Sequence, residues 1–277
     1  MQAAGLCLTS FYPSAQPPLA FKTFLLWMPN SVFMKHVFGL VLLLAFCLTQ
    51  AQTADEIVNK HVAATGGADK WSKVQSVKYT GHYVMGPGML PPVSSLLVAQ
   101  PFKGYYSDFT WQGMTNKTAL RADSGWSYNP FGGKREADPL SAQDIRETKL
   151  DADPQGLLFN YAQKGYTVEY LGTDDLEGTD VFKLRLTTGQ GDMVYYFIDA
   201  QTYFVLKTVK RMKLKDKEVK SYTLFSDFKK TDFGVVLPHS TQSVNEDGNE
   251  QGGPVNFTKV EVNAPVDAKL FDKPQAN

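Results

Sequence analysis

The sequence predicts an α+β protein, mostly β, built as one domain of about a dozen strands with a few helices. Three observations carry that reading. From Ser76 onward, apolar and polar residues alternate with a period of two in one segment after another. The connections between these segments are short and rich in Gly, Asp and Asn, as antiparallel hairpins require. Helix start signals stand at only a few places, and no linker, low-complexity tract or strong repeat divides the chain.

The elements follow in order. Thr53-Ala54-Asp55-Glu56 reads as a capping box, with Ile57, Val58 and Val62 on one face and Gly66-Gly67 as the stop. A second short helix is expected over Ala68 to Val74, burying Trp71 and Val74. Val77, Tyr79, Gly81 and Tyr83 then alternate with Ser76, Lys78, Thr80 and His82 as a half-buried strand. Further strands are expected at Ser94 to Gln100, Gly104 to Gln112, Thr115 to Arg121 and Gly125 to Tyr128. Ser141 to Leu150 opens with Ser-x-x-Asp and reads as a helix. Asp153-Pro154 predicts another, with Leu157, Leu158 and Tyr161 as its apolar face before Gly165. A meander follows, with strands at Thr167 to Leu171, Asp180 to Thr187, Met193 to Asp199, Phe204 to Leu214, Glu218 to Phe228, Val235 to Val244 and Val255 to Asn263. In the last, the apolar parity changes between Val255/Phe257 and Val260/Val262, which predicts a bulge near Thr258.

The first 51 residues read differently. Met34-Lys35-His36 is a short basic start, Val37 to Leu48 is uncharged, and Thr49-Gln50-Ala51 supplies small residues for cleavage, so residues 34–51 are expected to be a secretory signal. At twelve residues the run is shorter than the ~20 apolar residues a spanning helix needs. A lipid anchor at Cys47 is the minor alternative, weakened by Phe46 directly before it. Residues 1–33 show no periodicity and read as an extension ahead of the true start, expected to be poorly ordered. Residues 52–277 are then the working domain, and export implies the periplasm. Both cysteines, Cys7 and Cys47, fall before residue 52, so the exported part has no thiol for a disulfide, a nucleophile or a metal. Setting aside Lys22 and Lys35 leaves 26 basic against 28 acidic residues. No basic patch, and no nucleic-acid partner, is expected from that balance.

The remaining residues carry no catalytic constellation. His61, His82 and His239 lack metal-ligand spacing, and no cofactor or metal is expected. Gly86-Pro87-Gly88 and Gly189-Gln190-Gly191 read as turns, and Asp174-Asp175 as turn residues. Met193-Val194-Tyr195-Tyr196-Phe197-Ile198 is apolar on both faces, which a sheet with one wet face does not need. Either helices cover the second face or it lines an apolar cavity. Met85-Gly86-Pro87-Gly88-Met89-Leu90-Pro91-Pro92 is an apolar loop that suits a flap over such a cavity, since Met adapts to irregular ligands; the plainer reading folds it back on the core.

From Thr53 to Pro274 the chain resembles the LolA/LppX-like outer-membrane lipoprotein-sorting proteins. The carrying residues are ADEIVNKHVAATGGADKW leading into SVKYTGHY, then YYFIDAQTYFVLK (Tyr195 to Lys207), YTLFSDFKKTDFGVVLPHS (Tyr222 to Ser240) and VNAPVDAKLFDKP (Val262 to Pro274), in that order. The basic residue that closes the lid in the best-studied carrier has no match here. The resemblance implies a strongly curved antiparallel half-barrel whose concave side, covered by helices, holds acyl chains. It implies a non-catalytic, monomeric carrier of lipoprotein or lipid acyl chains, working with inner- and outer-membrane transport components. The expected lipid-binding residues are Trp71, the loop residues Met85, Met89 and Leu90, and one face of the doubly apolar strand, Met193, Tyr195 and Phe197. The alternative is an envelope module that binds or signals to a protein on the same scaffold; an enzyme on it has no supporting residues.

Overall fold

Helix α1 (Ala54–Ala64) begins as its sequence dictates. The Thr53 hydroxyl accepts from the Glu56 N–H and the Glu56 carboxylate from the Thr53 N–H, both at 3.2 Å. It ends where the Gly67 N–H reaches back to the Val62 carbonyl at 2.8 Å. Helix α2 is one turn, Ala68–Trp71, and delivers Trp71 and Val74 into the core. The structure, a computed structural model, describes residues 53–98, 104–133, 135–214, 217–250 and 252–274. The expected extension, export signal and Cys47 anchor lie outside the described residues. Gln52–Asn277 forms one compact unit.

The strands are β1 (Ser76–Tyr83), β2 (Pro92–Val98), β3 (Gly104–Trp111), β4 (Met114–Arg121), β5 (Ser124–Tyr128) and β6 (Asp138–Pro139). After α3 (Ala142–Asp151) come β7 (Thr167–Leu176), β8 (Thr179–Thr187), β9 (Met193–Asp199), β10 (Val205–Leu214), β11 (Lys217–Lys230), β12 (Val236–Val244) and β13 (Val255–Val262). They form one open antiparallel sheet in the order β6-β5-β4-β3-β2-β1-β13-β12-β11-β10-β9-β8-β7. Each neighbour but one is joined by a hairpin or short connection. The exception is β1 with β13, which ties the start of the domain to its end. The fold is mostly β with a few helices, an unclosed half-barrel as expected. The expected bulge is present: Thr80 faces Lys259 and Gly81 faces Phe257, so Thr258 is skipped.

Period-two alternation sorts the side chains between two faces. The inner face carries Val77 on β1, Leu184 and Leu186 on β8, and Val194, Tyr196 and Ile198 on β9, packed under Ile57 and Val58 of α1 and under Leu157, Leu158 and Phe159. On the outer face of β3–β5, a separate core of Tyr106, Ala119 and Trp126 is closed by the C-terminal turn Ala268–Phe271. The Trp126 indole donates to the Phe271 carbonyl at 3.0 Å.

Two expectations need correction. The segment after Asp153-Pro154 is not a helix but a run of turns through residue 165. Asp153 does accept from the Gln155 N–H at 2.9 Å, as a helix start would. Gly156 (φ +71°) and Asn160 (φ +53°) then go left-handed, and propagation stops before the costly first turn is repaid. The turns bury three consecutive residues, Leu157, Leu158 and Phe159, which the stripe of a short helix cannot do. The second correction is to Asp174-Asp175, which lie within β7 rather than in a turn; the strand continues past a bulge at Gly172, and only Glu177 and Gly178 make the turn.

Candidate functional site

Between α1, the 150–159 segment and the inner face of the sheet lies a cavity of about 250 Å³. Its helical side is His61, Val62 and Trp71. Its sheet side is Tyr79 of β1, Val194 and Tyr196 of β9, Val205, Thr208 and Lys210 of β10, and Phe225 and Phe228 of β11. Val236, Leu237 and Pro238 of β12 and Leu157, Leu158 and Phe159 of the turn segment complete the lining, Phe159 and Leu237 packing in one cluster with Trp71. The register explains the gathering, since Thr208 faces Tyr196 and Lys210 faces Val194 across β9–β10.

The few polar groups at this apolar wall are tied down. Trp71 donates from its indole to the Thr65 hydroxyl at 3.0 Å, and Thr65 donates on to the His61 carbonyl at 2.8 Å. The Gln155 amide donates to the Trp71 and Val74 carbonyls at 3.0 and 3.3 Å, holding the turn segment to α2. Lys164 pairs with Asp153 at 2.5 Å, and Lys210, its side chain 12% exposed, pairs with Asp151. Burial raises the Tyr79 and Tyr196 phenols far above their ordinary range, so both stay neutral. The arrangement shields apolar matter from water, with charge only at the rim.

His61 sits at this wall with Nδ1 2.8 Å from the Tyr203 carbonyl, which makes Nδ1 the protonated nitrogen of the neutral ring. Burial holds the imidazole below its ordinary 6.5, against the smaller raising effect of that bond. The unfolded chain therefore takes up a proton that the folded one resists, so this contribution to stability is present above pH 6.5 and is lost as pH falls through and below it. The melting temperature of the wild type is expected to drop further between about pH 7.5 and pH 5.5 than that of His61→Gln, which keeps a donor for Tyr203 without a titrating group. Equal drops in the two proteins are the contrary result.

Of the residues singled out from sequence, Trp71 lines the cavity. Met85, Met89 and Leu90 do not; they are 45%, 43% and 53% exposed in the β1–β2 connection, where Gly86 and Met89 form a bridge. Met193, Tyr195 and Phe197 occupy the face of β9 opposite the cavity. Among the described residues, no helix covers that face and it does not line the cavity. The cations of neighbouring strands lie over its rings: Lys183 5.1 Å and Lys207 5.5 Å from the Phe197 centroid, and Arg211 5.0 Å from Tyr195. Their aliphatic stems cover apolar surface, and the cations rest on the ring faces. The wall residues that sequence reasoning passed over, Val194, Tyr196, Thr208 and Phe225, had no local signal separating them from ordinary sheet residues. Lys210 had a weak one, a charge on an otherwise inward-facing run.

Among the described residues there is no group of three or more His, Cys, Asp or Glu placed to hold a metal, and no helix is long and apolar enough to cross a membrane. No protein-family model matches the chain, and no curated protein does. Solved structures do. A domain from Vibrio parahaemolyticus described as outer membrane lipoprotein-sorting aligns at 16% identity over 78% of this chain and 95% of its own, with a TM-score of 0.48. A LolA superfamily protein from Nitrosomonas europaea aligns at 13% identity over 80% and 99%, with a TM-score of 0.47. A DUF1329 family protein from Desulfovibrio piger aligns at 13% over 79% and 97%, with a TM-score of 0.42. In this chain the quoted motifs form one architecture: ADEIVNKHVAATGGADKW makes α1 and α2, YYFIDAQTYFVLK the β9–β10 hairpin, YTLFSDFKKTDFGVVLPHS the β11–β12 hairpin, and VNAPVDAKLFDKP the end of β13 and the C-terminal turn. The motifs thus fall in chain order along one open, mostly antiparallel sheet.

Proposed function

We propose that this protein is a non-catalytic carrier that keeps an acyl chain of a lipoprotein or lipid from water in the inner cavity, acting in the periplasm after export on residues 34–51. The observation that supports it is the cavity itself, lined mostly by apolar side chains, with its ion pairs Lys210–Asp151 and Lys164–Asp153 beside it. Each methylene moved out of water is worth ~0.8 kcal/mol. A volume of about 250 Å³ equals some eight water-sized volumes at ~30 Å³ each, room for part of one tail. A longer tail is accommodated by displacing the turn segment, which two Gln155 hydrogen bonds hold to the body. Trp71 is then a wall residue of the site.

The test is uptake of a fluorescent fatty acid, with native mass spectrometry of the protein purified from periplasmic extract. Thr208→Trp puts a large ring into the cavity from the middle of its sheet wall and is expected to weaken uptake at least tenfold. Phe197→Leu changes the outer face and is expected to leave uptake unchanged. Loss in Phe197→Leu but not in Thr208→Trp moves the site to the outer face and overturns the proposal. A second reading, a protein-binding module, is favoured by Leu157, Leu158 and Phe159, with which the chain already fills part of its own hollow. A lipid-free mass together with no uptake by the wild type would support it instead.

A further inference from the structure

Six large apolar residues stand exposed among the described residues, and five of them share one end of the sheet. Met85, Met89 and Leu90 lie in the β1–β2 connection, and Met114 opens β4 just after the β3–β4 turn. Phe131, in the turn after β5, joins them through Phe109, the two ring centroids 5.9 Å apart. The antiparallel register puts these connections side by side. Val93 at the start of β2 faces Phe109 near the end of β3, Trp111 faces Met114, and Lys117 of β4 faces Tyr128 at the end of β5. Of the six, Leu171 alone lies elsewhere. A single exposed apolar residue is ordinary on a protein surface, whereas a group of five marks a surface that something covers.

The chemistry of the β1–β2 connection selects what covers it. Val84 to Val93 holds no charged residue and no side-chain hydrogen-bond donor. Its backbone is short of free donors too. Pro87, Pro91 and Pro92 have no N–H. The Met85 N–H donates to the Met89 carbonyl and the Met89 N–H to the Gly86 carbonyl, both at 3.1 Å, and the Val84 N–H donates to the Pro254 carbonyl at 2.8 Å. A protein partner ordinarily meets polar groups as well, at about one hydrogen bond per 100–200 Å². A lipid surface needs none, and it admits backbone whose polar groups are already paired. Half-buried Trp111, facing Met114, is the side-chain type that settles at the boundary between headgroups and tails.

We infer that this end of the sheet docks on the surface of a lipid bilayer, with Met85, Met89 and Leu90 dipping into it and no requirement for anionic lipid. The docked end also leads inward. Tyr83 follows Tyr79 and Gly81 along the inner face of β1, and its ring lies 5.9 Å from Phe109. Tyr79 packs on Phe257 at 4.8 Å and lines the cavity. Along the inner face these rings lie between the exposed tips and the cavity, an apolar route for a tail leaving the bilayer. That route rests on the carrier reading; the docking does not.

The experiment is cosedimentation of the purified protein with phosphatidylcholine vesicles and, separately, phosphatidylglycerol vesicles, beside uptake of a fluorescent fatty acid supplied from solution. The wild type is expected to bind both kinds of vesicle, with no loss at high salt, because no charge takes part. Leu90→Asp puts a charge at the most exposed of the tips. It is expected to bind vesicles about tenfold more weakly and to take up the soluble fatty acid as the wild type does. Leu171→Asp is expected to bind as the wild type does. No vesicle binding by the wild type, binding to phosphatidylglycerol alone, wild-type binding by Leu90→Asp or equal loss in Leu171→Asp overturns the inference. So does a wild-type dimer in sedimentation velocity that Leu90→Asp dissociates in the absence of vesicle binding, which assigns the surface to a second copy. Vesicle binding without fatty-acid uptake supports the docking and removes the carrier reading, and uptake without vesicle binding does the reverse. Should Leu90→Asp fail to fold, brominated phosphatidylcholine decides. It must quench the tryptophan fluorescence of the wild type more than that of Trp111→Phe, and equal quenching overturns the inference.

Discussion

Replacing Leu184 by alanine is expected to destabilise the protein by about 2–5 kcal/mol, the range for an aliphatic core residue whose space cannot collapse. Leu184 has no exposed surface and lies in the core beneath α1, facing Tyr170 across one side of β8 and Tyr196 across the other. Both neighbours are held in sheet register, so the wall cannot move in to fill the gap, and the lost contacts are not recovered. For a domain of this size each kcal/mol moves the melting temperature by ~2–4 °C, so thermal denaturation should show a fall of about 4–20 °C. Leu171→Ala on β7, where the leucine is 38% exposed, is the comparison and is expected to change stability by less than ~0.5 kcal/mol. If the two variants melt together, the inner face of β8 is not the core of the domain.

Gly81→Ala is expected to cost about 1–3 kcal/mol through overpacking at the seam of the sheet. A Cβ at Gly81 would lie 2.0 Å from the Asn256 carbonyl oxygen and 2.7 Å from the Phe257 Cα. Both are backbone atoms, so no rotamer change relieves the clash and β13 must shift. The position matters because the β1–β13 ladder joins the strands made early in the chain to those made late, and beyond it only Ser240–Asn256 and Thr241–Val255 pair β12 with β13. Gly132→Ala, where the added atom meets open space, is expected to stay within ~0.5 kcal/mol of wild type. The urea midpoints of the two variants check this, and a shared midpoint contradicts it.

Much of the fold is legible locally. The Thr53–Glu56 box, the strand over Met193–Asp199 and the bulge at Thr258 all follow from the immediate neighbours of each residue, and the structure has all three. The Ser141–Asp144 box likewise caps α3. The site is less legible. β9 is apolar on both faces, so its alternation defines two faces without saying which turns inward. The order of strands decides that, by laying Thr208 beside Tyr196 and Lys207 beside Phe197. The Asp153-Pro154 start signal is present and is used for one hydrogen bond, yet the burial of Leu157, Leu158 and Phe159 together outweighs a marginal helix.

The sequence by itself therefore determined the class of fold, most of the strand positions, and the absence of cysteine after residue 51, because propensity, capping and periodicity act over a few residues. Only the tertiary structure decided which residues share the cavity, and that cations spread from Lys183 to Lys220 meet on one outer face. Those groupings depend on register between strands distant in the chain. A strand's pattern specifies its two faces, and only its partners specify what stands beside each.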